Sequence, residues 1–154
     1  MNTPDARLTA AMPHAPAKLP PGAPIEAVVV QDGVAYVSGQ VAFVGEEAPL
    51  LGQVGDDVTV EQAAEEARKA AANGLYRLIE TFGSLEPVER ILKLTVFVNA
   101  VSGLTTQPAV ANGASNLLID VLGEQGRHAR SAVGVASLPL GVPVEIELVA
   151  KVSA

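Results

Sequence analysis

Apolar residues change their spacing along this chain, and each change of spacing marks an element. Two β-branched runs, "PIEAVVV" and "VAYVSGQ", flank Gln31-Asp32-Gly33, which predicts a hairpin. Ser38-Gly39 breaks the second run, and "VAFVGEEAPLLGQVGDD" reads as an irregular loop with at most a short strand. From Thr59 to Phe82 the apolar steps become three and four. Val60, Ala64, Ala67, Ala71, Leu75, Leu78 and Phe82 make one helical stripe. Thr59 and Gln62 supply a capping box, Glu65 and Lys69 an i,i+4 pair, and Gly83 a terminator. Alanines in the first half of the stripe let the helix lie close to a flat surface such as a sheet.

"ILKLTVFVNA", Ile91 to Ala100, is apolar on both alternating faces from Leu94 to Val98, which predicts a strand buried on both sides. Thr106 is placed to cap a second helix, about Gln107 to Leu122, with Pro108 in its first turn. Val110, Ala114, Leu117 and Val121 form its stripe. It carries no charge before Asp120, and its other positions are Asn112, Gly113, Ser115 and Asn116, an unusual face for free solvent. "LGEQGRHA" reads as a loop, "RSAVGVAS" as a strand, "LPLGVP" as a turn and "VEIELVAKV" as the last strand. The order is strand–strand–helix–strand–helix–strand–strand, and two helices can cover one face of such a sheet. The other face keeps apolar positions that nothing in the chain covers, so burial against neighbouring subunits in a closed ring is the economical solution. Residues 1–22 hold five prolines and no apolar signal region. They are expected to form a loosely structured arm on a cytoplasmic protein, with residues 23–154 as a single domain.

Composition narrows the function. The chain has 154 residues, 49% hydrophobic and only 18% charged, which suits one domain with surface hidden against copies of itself. A net charge of -7 and few aromatics disfavour a nucleic-acid partner. The absence of cysteine excludes disulfides, thiolate metal sites and a cysteine nucleophile. His14 and His128 lie far apart without ligand spacing, so no metal and no cofactor are expected. No stretch is apolar enough to predict a membrane span.

Two charged features remain. On the last strand Val144, Ile146 and Leu148 face one way, and Glu145 and Glu147 the other. These glutamates either line a half-solvated strand or face a buried, subunit-lined space, where each would need a partner or a task. Arg130 sits at a loop-to-strand junction and is followed by fourteen uncharged residues. It is either a surface residue or an isolated cation beside apolar surface, suited to a bidentate grip on a small carboxylate. Ser38 and Asn112 are supporting polar groups. His128 shares the side of Arg130 if the strand extends to it, although a loop histidine is commonly just exposed. There is no nucleophile elbow and no glycine-rich phosphate fingerprint.

"YVSGQ", "LTVFVN" and "RSAVGVASLPLGVPVEIELVA" resemble the YjgF/RidA family, once labelled translation inhibitors or L-PSP endoribonucleases. The resemblance runs from about Pro24 to Val152, and "QPAVANGASNLLIDVLGEQGRHARSAVG" is similar to a longer subgroup. It implies a chorismate-mutase-like α+β fold: a mixed sheet with two helices on one face, and a homotrimer closed around a central β-barrel. It also implies ligand clefts between subunits and hydrolysis of reactive enamines and imines, such as 2-aminoacrylate, to 2-keto acids and ammonia. Arg130 falls on the family arginine that holds the substrate carboxylate, and Glu145 on the glutamate associated with the attacking water. Ser38 and Asn112 fall at or near cleft-lining positions. Ile25 stands where the archetypal enzymes carry a tyrosine, Ala132 where they often have cysteine, and Ser137 where they have a basic residue. The alternative function is a non-catalytic trimer that binds a small carboxylate. A ribonuclease, the third reading, sits poorly with the acidic charge.

Overall fold

A computed structural model describes residues 2–153. Its elements are α1 (Pro4–Ala11), β1 (Val28–Gln31), β2 (Val34–Gln40), α2 (Val60–Phe82), β3 (Val88–Asn99), α3 (Gln107–Leu122), β4 (Ala129–Val135) and β5 (Val144–Val152). The five strands form one open sheet in the order β1-β2-β5-β3-β4. All pairs are antiparallel except β3 with β4, which α3 joins as a crossover. The fold is therefore mixed α+β, with three helices where two were expected.

Local chemistry accounts for the best-defined elements. Asp32 (φ 51°) and Gly33 (φ 74°) are both left-handed and close a two-residue hairpin between β1 and β2. Thr59 accepts the N–H of Gln62, and the Gln62 side chain accepts the N–H of Thr59, so the expected capping box starts α2. Gly83 ends it in the left-handed conformation, its N–H reaching the Ile79 carbonyl at 2.7 Å. α3 begins where expected, but the Thr106 side chain makes no cap; only its carbonyl accepts from Ala109 and Val110. Lys69 pairs with Glu66 at 3.0 Å rather than with Glu65. Glu66 lies on the buried side of α2, where it also accepts the Leu50 N–H, so it is already held for a cation one turn on.

One face of the sheet is the core. Ala35, Val37, Leu94, Val96, Val98, Ile146, Leu148 and Ala150 pack beneath α2 and α3. The expected burial of β3 on both sides is not met within one chain: Leu94, Val96 and Val98 are buried, while Thr95 and Phe97 on the other face are only half-covered. Strand register places Val29, Tyr36, Phe97, Val133 and Val149 on that open face. Val29 is 50% exposed, Tyr36 52% and Val133 42%.

The loosely structured arm is a second correction. Residues 4–11 form α1, capped by Thr3 with Pro4 in its first turn. Leu8 is fully buried, Arg7 Nε donates to the Val121 carbonyl at 2.7 Å, and the Tyr76 hydroxyl donates to the Met12 carbonyl. Pattern reading missed this helix because one buried leucine gives no stripe; tertiary contacts hold it.

Candidate functional site

The residues singled out from the sequence fall into two groups on opposite faces of the sheet. Arg130 pairs in register with Leu94, and Leu94 with Leu148, so Arg130 stands on the helix-covered face at the edge strand. Its Nη1 donates to Asn112 Oδ1 at 2.8 Å and to Ser115 Oγ at 3.1 Å. Asn112 and Ser115 lie close together on α3, so the polar face of that helix is the seat of a guanidinium. Among the described residues no carboxylate pairs with Arg130. Ala132, two positions on, stands on the same face, half-buried against the core. His128 joins the group, with Nε2 2.9 Å from Ser115 Oγ. Burial holds its pKa below the ordinary value; the Gly126 carbonyl opposes this and Arg130 adds to it. Ser115, Ile119, Arg127, His128 and Arg130 line a depression of about 200 Å³ at this edge.

Glu145 belongs to the second group. It pairs with Phe97 on β3, and so lies on the open face with Glu147. Burial raises its carboxyl pKa above the ordinary value, and neighbouring Glu147 raises it further. The register between β2 and β5 jumps between Val37 and Gln40, so Ser38-Gly39 forms a bulge rather than the end of the strand. The Glu145 carboxylate fills the space over Gly39, where a β-carbon would collide with its Oε1. Ser38 Oγ donates to the Glu26 carbonyl at 2.6 Å, tying the bulge to the segment that carries Ile25. Ile25 is 55% exposed and offers no polar atom at that rim.

The structure thus gathers Arg130, Asn112 and Ala132 on one face and sets Glu145 on the other beside the Ser38-Gly39 bulge, with Ile25 exposed before β1; it does not bring Arg130 and Glu145 together within one chain. Three residues of the two groups were not singled out as site residues. Ser115 was visible only as one of several polar positions on a charge-poor helix. His128 was visible as a neighbour of Arg130, and Gly39 as a strand breaker. No group of three or more His, Asp or Glu side chains is placed to hold a metal ion among the described residues. No helix of the described residues is long and apolar enough to cross a membrane.

Known proteins share this outline. Residues 15–152 match the family described as Endoribonuclease L-PSP. Protein TCP17 of Trypanosoma cruzi is 43% identical over 113 residues, which are 73% of this chain and 71% of that protein. Atu1372 from Agrobacterium tumefaciens, a protein of unknown function, superposes with a TM-score of 0.87 at 37% identity, covering 97% of this chain and 92% of that one. RidA from an Antarctic Psychrobacter superposes with a TM-score of 0.59 at 27% identity, covering 90% of this chain and 94% of that one.

Proposed function

The chain belongs to the endoribonuclease L-PSP family, the YjgF/RidA family, and from that membership we propose that it hydrolyses small 2-imino acids and their enamine tautomers to 2-keto acids and ammonia. One observation carries the reading. Arg130 is a guanidinium pinned by two neutral acceptors on α3, with no carboxylate partner among the described residues. A cation held without an anion, at a sheet edge beside a small depression, is matched to a ligand that brings its own carboxylate.

In the proposed reaction Arg130 holds the substrate carboxylate and so fixes the adjacent C=N carbon. Glu145, with its raised pKa, holds the proton that water must give up or the leaving nitrogen must receive. Water adds across the C=N bond, and the carbinolamine loses ammonia and leaves the keto group. Because Arg130 and Glu145 stand on opposite faces of one sheet, a site using both takes the arginine from one copy and the glutamate from its neighbour. This supports clefts between subunits, and a trimer closed through the apolar open face. The ribonuclease activity in the family's name is not part of the proposal, since a net charge of -7 opposes a polyanion.

The test is release of ammonia and keto acid from imines generated in place by an amino-acid oxidase. The wild-type chain is expected to accelerate it, and Arg130→Ala to remove the acceleration. An undiminished rate in that variant defeats the reading. Ligand-induced thermal stabilisation without product would favour a binding protein instead.

A further inference from the structure

The hydroxyl that holds Arg130 has only one direction in which to send its own proton. His128 Nδ1 lies 2.6 Å from the Gly126 carbonyl oxygen. A carbonyl can only accept, so Nδ1 is the ring nitrogen that carries hydrogen. In the neutral ring Nε2 is then an acceptor, and Ser115 Oγ, 2.9 Å away, must be its donor. That commits the single proton of the hydroxyl and turns its lone pairs to Arg130 Nη1 at 3.1 Å. Asn112 Oδ1 accepts from the same nitrogen at 2.8 Å. Both Nη1 protons are thereby used, and the guanidinium keeps the edge formed by Nε and Nη2 for a ligand. That edge presents two parallel N–H groups, the geometry a carboxylate accepts in a bidentate pair.

We infer that Ser115 and His128 are positioning residues for the Arg130 grip: the imidazole accepts a hydrogen bond from the serine hydroxyl, the serine oxygen accepts one from the guanidinium, and the Nε–Nη2 edge is left presented to a carboxylate. The inference rests on Arg130 being the carboxylate-binding residue. Burial and Arg130 both act to keep the ring neutral, which is the state the relay requires. The other charged groups around the ring leave it in that state. Arg127 is an exposed cation paired to Glu124 at 3.0 Å, and Asp120 on α3 is paired to Arg68 at 3.4 Å. No carboxylate reaches the imidazole to favour its charged form among the described residues.

The experiment titrates the full chain with pyruvate, a carboxylate of the proposed product class. It compares wild type, Arg130→Ala, Ser115→Ala, Ser115→Thr and His128→Phe. A nitrogen-detected NMR spectrum of the wild-type His128 ring accompanies it. The ring is expected to carry its proton on Nδ1, and its Nε2 resonance to move when pyruvate binds. Ser115→Ala and His128→Phe are expected to weaken pyruvate binding by about tenfold, the worth of one hydrogen bond to a charged group. Ser115→Thr keeps the hydroxyl and should restore binding. If Arg130→Ala abolishes binding while Ser115→Ala and His128→Phe bind as wild type, the relay is wrong and the grip stands. If wild type binds no pyruvate, or Arg130→Ala binds it equally well, the reading beneath fails and the inference falls with it. A ring protonated on Nε2 in the neutral state overturns the relay without recourse to any variant.

Discussion

At the scale of single residues, Glu145 joins two properties that pull against each other. Its carboxyl pKa is raised above 4.5 by burial and by Glu147. A raised carboxyl contributes stability that is complete below the unfolded value and is lost as pH rises through the folded value. At neutral pH the ionised side chain is therefore a cost to the fold, one that the proposed role in moving a proton would account for. Glu145→Gln should be more stable than wild type, and its advantage in melting temperature should widen from pH 4 to pH 8. The same variant should lose about a hundredfold or more in turnover, the usual contribution of a general acid–base group. Gly39 offers the complementary change. Alanine there meets only the flexible end of Glu145, so Gly39→Ala should displace the carboxylate and lower turnover while leaving the melting temperature close to that of wild type. That Arg130 stands at the start of a strand, and that Glu145 and Glu147 share one side of β5, was legible from the pattern of residues alone. The pairing of Ser115 with His128 was not, because a neutral hydroxyl and a half-buried ring thirteen positions apart announce no contact until a helix is laid beside a strand.

At the scale of elements, the close approach of α2 and α3 sets where Asn112 and Ser115 can reach Arg130. Gly113 makes that approach possible: a β-carbon on it would fall on the Ala64 backbone carbonyl. Backbone cannot swing aside as a side chain can. Gly113→Ala should therefore destabilise the fold by about 1–3 kcal/mol, measured by denaturant unfolding. It should also weaken carboxylate binding, since the variant helix must back away from α2 and carry Asn112 and Ser115 with it. The alanine-rich half of α2 was readable as a helix meant to lie close to something, though its partner here includes a second helix as well as the sheet. Elements fixed by local chemistry, such as the Asp32-Gly33 hairpin and the Thr59–Gln62 cap, were fully legible. α1 was not, because its anchors are distant: Arg7 on Val121, Asp5 on the N–H of Leu85, and the Met12 carbonyl beneath Tyr76. The Thr106 cap failed for the converse reason: a favourable residue type does not guarantee that the backbone presents its side chain to the helix.

At the scale of the whole molecule, the proposed assembly would account both for the uncovered face and for the separation of Arg130 from Glu145. The open sheet face gathers Val29, Tyr36, Phe97, Val133 and Val149, apolar side chains that no helix of this chain covers. Arg130 and Glu145 cannot act on one small molecule from opposite sides of the same sheet. Copies packed so that the β4 edge of one meets the open face of the next would cover apolar residues there and bring the glutamate of one chain towards the arginine of another. Assembly and activity should then be lost together. Tyr36→Asp places a charge on the open face, with two strands between it and the strand of Arg130, and touches none of the groups that hold that arginine. Sedimentation should find the wild type as a trimer of the 15.8 kDa chain and the variant as a monomer. Circular dichroism should find the helices of the variant intact, because α2 and α3 pack on the other face. Imine hydrolysis should fall to the uncatalysed rate even though Arg130, Ser115 and Glu145 are all present. A monomeric Tyr36→Asp that keeps its activity would mean that one chain is sufficient, and the shared cleft would have to be given up.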